Sequence, residues 1–202
     1  MIDNVRRMFM SMIKTSWPMV LISVVILMSI RITYLIKNKK KFVLYEEIFL
    51  LFFVMYILCL FQVVTFQDVS WSGSNFIPFR EIMRYKVGTK LFFRNIFGNV
   101  LLFMPYGFFT GYYLKIRKPW ISIILVMVAS LSIEITQLII GRVFDVDDIM
   151  LNLIGGILGF YVYHILDLIE NIMPKYLKKD WLISIIVIIF IVLIGVVIFV
   201  WK

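Results

Sequence analysis

The chain is divided into continuous apolar runs of about 20 residues, each long enough to cross the hydrocarbon core of a bilayer as a helix. Six such runs can be marked, at Trp17–Ile36, Tyr45–Phe66, Asn95–Leu114, Trp120–Ile140, Asp148–Leu168 and Trp181–Trp201. The connections between them are short, apart from Gln67–Arg94. Lipid offers no partners to backbone N–H and C=O groups, so a run of this length must fold as a helix. The strands of a membrane barrel would instead alternate apolar and polar residues over about ten positions. The expected fold is therefore all-α, a polytopic transmembrane helical bundle of about six spans in the cell membrane. It divides into an N-terminal pair of helices (1–66), a loop with three helices (67–168) and a C-terminal anchor (169–202).

Composition supports this assignment and removes the alternatives. Hydrophobic residues make up 62% of the chain and charged ones only 16%, whereas soluble chains are about half apolar and roughly a quarter charged. A soluble catalytic domain, a disordered chain and a secreted disulfide scaffold are excluded. The single cysteine, Cys59, lies inside an apolar run and has no partner within the chain. The first run is too long for a cleavable signal peptide and lacks a small-residue cleavage site after it. The formal charge of +9 fits contact with anionic headgroups at helix ends. No basic stripe stands outside the apolar blocks, so no nucleic-acid partner is expected. Membrane lipids are the expected partners, and nothing in the sequence specifies an oligomeric state.

Lys and Arg divide evenly between the two sides of such a bundle. The dense, acid-free connections Lys37–Lys41 (KNKKK) and Lys115–Lys118 (KIRK) favour a cytoplasmic placement for that side and an outer N-terminus. Arg31, near the end of the first run, is expected to snorkel toward the lysines that follow it.

Independently of orientation, the third, fourth and fifth runs alternate in direction, which brings their polar residues to one membrane face. Asn95 and Asn99 start the third run one helical turn apart. Glu134 and Gln137 end the fourth, with Arg142 just beyond. Asp145, Asp148 and Asn152 open the fifth at spacings of three and four. Glu134 lies about 9 Å inside its helix at 1.5 Å per residue, where an acid costs about 2.5–3.5 kcal/mol to insert. That cost implies a partner or a cavity. Three readings follow. The residues could clamp helices together through hydrogen bonds, they could form an outward polar pocket for a headgroup or substrate, or Asp145, Asp147 and Asp148 could hold a hard cation.

Other signals concern packing. Gly155, Gly156 and Gly159 form a small-residue surface that invites close approach by Gly98, Gly107 and Gly111 of the third run. Pro105 is expected to kink that run. His164, the only histidine, is expected to be a packed residue near the opposite end of the fifth run. The connection after the second run mixes Phe76, Phe79 and Tyr85 with Arg80, Arg84 and Lys86, which suits a segment lying at the headgroup layer.

Four segments occur together and in order: NFIPF at Asn75–Phe79, NIFGNVLLFMPYGF at Asn95–Phe108, SLSIEITQ at Ser130–Gln137, and DVDDIMLNLIGGILG at Asp145–Gly159. In combination they resemble the VanZ-like family of membrane proteins, named for a teicoplanin-resistance accessory protein. The resemblance covers about residues 75 to 160. It implies functional weight at Asn75, Pro78 and Phe79, at Asn99, Pro105 and Gly107, at Glu134 and Gln137, and at Asp145, Asp148, Asn152, Gly155 and Gly159. It also implies an extracellular polar face. Arg142 and the first run fall outside the shared pattern.

Two functions follow as expectations. In the first, a non-enzymatic envelope protein uses its outward polar face to engage a lipid headgroup, a lipid-linked cell-wall precursor or a lipoglycopeptide, and so lowers teicoplanin binding or susceptibility. The candidate residues are Asn75, Asn95, Asn99, Glu134, Gln137, Arg142, Asp145, Asp148 and Asn152. In the second, a membrane-embedded enzyme acts on a lipid-linked intermediate with Glu134 as general acid or base. No nucleophile with its base, no zinc motif and no cofactor fingerprint accompanies Glu134, so the non-enzymatic reading is preferred and neither cofactor nor resident metal is expected.

Overall fold

The computed structural model describes residues 2–66, 74–86, 88–174, 179–180, 182–185 and 188. All regular structure among them is helical: α1 (Ile2–Lys37), α2 (Leu44–Phe66), α3 (Arg80–Arg84), α4 (Lys90–Phe92), a π-helical turn at Phe93–Phe97, α5 (Gly98–Leu114), α6 (Pro119–Ile139) and α7 (Val146–Ile172). Four stretches are long and apolar enough to cross a membrane, at Trp17–Lys37, Leu44–Phe61, Pro119–Ile139 and Val146–Ile172. The 17 residues of α5 are fewer, but its helix begins earlier, because α4, the π turn and α5 follow one another without a break. The expected sixth span lies outside the described residues except at 182–185 and 188. The chain divides into two compact units, Met1–Cys59 with Ile172–Lys202, and Leu60–Asn171.

In the first unit α1 starts well before the apolar run it contains, at Ile2 rather than Trp17. Arg31 does not snorkel toward the lysines after it. Its guanidinium grips Glu47 of α2 through Nη2 (3.0 Å) and Nε (3.1 and 3.3 Å). Glu47 is buried, so the pair is a paired charge rather than a solvated one, and removing either partner would strand the other.

The second unit is built on α5, α6 and α7. Gly107 and Gly156 meet backbone to backbone, a Cβ on Gly155 or Gly159 would run into the carbonyls of Val100 or Met104, and Gly111 lies under the Tyr163 ring. Val100, Met104 and Gly111 meet Gly155, Gly159 and Tyr163 in turn, so α5 and α7 run parallel. Gly98 stands apart, with open space where its Cβ would be. In the other direction, Glu134, Ser130 and Val126 of α6 meet Asp145, Asn152 and Gly156 in turn, so α6 is antiparallel to α7. Pro119 opens α6 at a position where its missing N–H is harmless. Gly141 ends it in a left-handed conformation (φ 82°), which lets Arg142 N donate to Gln137 O at 2.8 Å.

Candidate functional site

The turn after α6 and the start of α7 hold a knot of polar side chains, and the segment before α3 is tied into it. Asn75 and Asp145 form a parallel bridge: Asn75 N donates to Phe144 O (2.8 Å) and Val146 N to Asn75 O (3.1 Å). The Asn75 side chain works in both directions. Its Nδ2 donates to Asp145 Oδ1 (2.9 Å), while its Oδ1 accepts from Ile77 N (3.2 Å) and shapes the turn into Pro78. Asp145 Oδ1 also accepts from Asp147 N (2.9 Å). Burial pushes the Asp145 carboxyl above its ordinary value, against the pull of the Asn75 amide and the Asp147 N–H.

Glu134 is 2% exposed. One of its oxygens, Oε2, accepts from Asp145 N at 3.0 Å. The other accepts from Gln137, whose amide, turned to suit both neighbours, donates to Glu134 Oε1 and accepts from Arg142 Nη1, each at 3.1 Å. The acid deep in α6 is thus linked through Gln137 to the cation in the turn. Across the interface, Asn99 Nδ2 of α5 donates to Asp148 Oδ1, and Asn152 Nδ2 donates to Ser130 Oγ at 2.9 Å. Among the described residues Asn152 Oδ1 is buried without a partner.

Asp147, a possible cation ligand by sequence, is the most committed residue in the structure. It is 1% exposed, and its carboxylate accepts from the backbone N–H groups of Phe79, Glu81 (2.7 Å) and Ile82 (3.1 Å). Those N–H groups open α3, which has no side-chain cap of its own, so Asp147 caps a helix more than 60 positions away in the chain. Hydrogen bonds from backbone amides to a carboxylate are among the stronger ones in proteins, about 1.5–3 kcal/mol each. They hold Phe79 in a left-handed conformation (φ 67°), which costs a non-glycine residue roughly 1–2 kcal/mol.

Of the expected site residues, Asn75, Glu134, Gln137, Arg142 and Asp145 are joined by hydrogen bonds, while Asn99 with Asp148 and Asn152 with Ser130 form two separate pairs beside that cluster. Asn95 does not join it. The residue falls in the π turn. Among the described residues no group of three or more His, Cys, Asp or Glu is arranged to hold a metal ion, and Asp147 is spent on backbone donors. Both Glu134 oxygens are engaged, and His164 is at the other end of α7. The cluster is chemically a mount, with internal donors matched to internal carboxylates.

What the mount presents is the segment it grips. Phe76 stacks on Phe144 with ring centroids 5.3 Å apart, yet Phe76, Ile77, Phe79 and Met83 stay exposed, Met83 at 80%. Arg80 is exposed beside them, and Arg84 pairs with Glu81 at 3.2 Å.

Apolar helices long enough to span a bilayer, packed through glycine contacts and tied at one end by a buried polar knot, define a helical membrane protein. Residues 47–167 match the VanZ/LLP1 family model, more than half of the chain, and the protein belongs to the VanZ/LLP1 family. No curated protein and no solved structure matches it.

Proposed function

We propose that this is a multi-pass cell-membrane protein of the bacterial envelope whose Asn75–Arg84 segment is a rigid, outward-facing contact platform. The occupant is an amphiphile with a polar head, either a lipid-linked cell-wall precursor or a lipoglycopeptide such as teicoplanin, and its engagement lowers drug binding at the surface. The observation that carries this reading is the pairing of a fixed backbone with an exposed apolar face. Asp147 and Asn75 immobilise the segment, while Ile77, Phe79 and Met83 remain uncovered. A preformed apolar surface with cations at its edge suits a ligand that lies partly in the headgroup layer. Glu134 as general acid or base is less well supported, because both of its oxygens already accept hydrogen bonds inside the knot.

The test is direct. Cells lacking the gene should bind more fluorescent teicoplanin and show altered susceptibility, and a chain carrying Ile77→Ser with Met83→Ser should behave like the deletion at equal protein level. Drug binding and susceptibility that do not change on deletion would sink the teicoplanin version of the reading.

A further inference from the structure

The far end of α7 carries a second charged region of a different kind. Lys115, Arg117, Tyr163, His164 and Asp167 line a cleft of about 300 Å³. His164 is some 24 Å along α7 from Asp148, at 1.5 Å per residue, so the cleft lies at the opposite membrane face from the polar knot. The loop between α5 and α6 is shaped for it. Ile116 is buried and anchors the loop, Lys115 turns through a left-handed conformation (φ 50°), and Lys115 and Arg117 on either side of Ile116 stay exposed. Gly111 gives the Tyr163 ring room to lie against α5. His164 packs edge-on against Phe160, with centroids 4.4 Å apart, and its Nε2 has no hydrogen-bond partner among the described residues.

The charges around this cleft are held apart. Asp167 shares it with Lys115 and Arg117, yet among the described residues neither cation forms an ion pair within 4.0 Å. Lys115 Nζ sits 4.8 Å above the Tyr112 ring instead. Two cations and one acid that surround a cavity without neutralising one another leave room for a ligand carrying both an anionic group and hydrogen-bond donors. Next to the cleft residues in the chain, Leu114, Ile165 and Leu168 are exposed and apolar, which provides a flank for hydrocarbon.

We propose that this cleft binds the headgroup of an anionic glycerophospholipid. The phosphate lies between Lys115 and Arg117, the glycerol hydroxyls donate to Asp167, and the acyl chains lie along Leu114, Ile165 and Leu168. A volume near 300 Å³ is at the small end of ligand sites and matches a phosphoglycerol headgroup rather than a saccharide-bearing one. Basic pockets between membrane helices recognise anionic headgroups by this chemistry, and the guanidinium fork supplies paired donors to phosphate oxygens.

Native mass spectrometry of the full chain released from detergent micelles tests the assignment. Phosphatidylglycerol, phosphatidylcholine and soluble glycerol phosphate are offered in turn. Wild type should retain one phosphatidylglycerol at least about tenfold more tightly than phosphatidylcholine. Lys115→Gln with Arg117→Gln should lose about tenfold or more of that affinity. Lys115→Arg with Arg117→Lys should keep most of it, and Lys37→Gln with Lys41→Gln, which removes cations elsewhere, should keep all of it. Equal retention of the two lipids, or unchanged phosphatidylglycerol binding in the Lys115 and Arg117 glutamine variant, overturns the site. Saturable glycerol phosphate binding without lipid binding overturns the lipid source.

Discussion

The two ends of α7 solve the problem of charge in an apolar protein in opposite ways. At the start of the helix Asp145, Asp147 and Asp148 are matched to donors from the same chain: backbone N–H groups, Asn75 and Asn99. At the far end Lys115, Arg117 and Asp167 surround an opening, and among the described residues they form no ion pair with one another. A charge whose partners are internal is a fastener, and its removal should be felt in stability. A charge that faces a cavity is available, and its removal should be felt in binding. The contrast separates two roles that composition alone merges into one count of charged residues.

The strongest way to break this contrast is Asp147→Ala. It would strand three backbone donors at the start of α3 and release the segment that the knot holds. A loss of about 4 kcal/mol is expected from bonds of 1.5–3 kcal/mol that are not fully additive, read as an earlier midpoint in detergent-induced unfolding. Neutralising Lys115 and Arg117 should leave that midpoint within about 0.5 kcal/mol, as for other exposed substitutions. Equal losses at the two ends would erase the distinction.

Between the ends lies the glycine seam. Gly159→Ala would drive a Cβ into the Met104 carbonyl and Phe108 backbone, where neither side can yield as a flexible side chain would, and about 1–3 kcal/mol of destabilisation is expected. Gly98→Ala meets open space and should be neutral or slightly stabilising, since alanine is the better helix former. If the two variants unfold alike, the seam does not carry the parallel packing of α5 on α7. A smaller effect is expected at Phe79. Its left-handed backbone is paid for by Asp147, so Phe79→Gly should relieve strain and raise the unfolding midpoint by about 0.5 kcal/mol after the entropy cost of glycine.

Much of this architecture was legible because lipid restricts the choices. Run length gives the helices, and alternation of direction puts Asn99, Glu134 and Asp148 at one end before any contact is known. The glycine pattern also read correctly for Gly107, Gly155, Gly156 and Gly159, whose spacing matches a helical face. Illegible features were those set by distant partners. Asp147 looks like any acid in a first helical turn, because its three donors are more than 60 positions away. Arg31 has a nearby lysine cluster to suggest snorkelling and only a far-off Glu47 to contradict it. Lys115 and Arg117 read as orientation signals, and nothing local said that Tyr163, His164 and Asp167 would complete a cleft around them.

The smallest expected effect is the pH response of the knot, and its sign follows from Asp145. Burial raises the Asp145 carboxyl above its ordinary 3.8 in the folded chain, so the folded state binds this proton more tightly than the unfolded state does. Stability from this group is therefore fully present below the unfolded value and is lost as pH rises through the raised folded value. Asp145→Asn keeps an oxygen to accept from Asn75 Nδ2 and Asp147 N but removes the titration. In detergent unfolding followed upward from pH 3.8, wild type should lose stability relative to Asp145→Asn, and the gap should level off once the folded carboxyl has ionised. Arg117→Gln, at the open end of α7, should leave that gap unchanged. A wild type that gains stability relative to Asp145→Asn over this range would mean that the donors around Asp145 outweigh its burial, and the knot would then be held by a favoured charge rather than by a tolerated one.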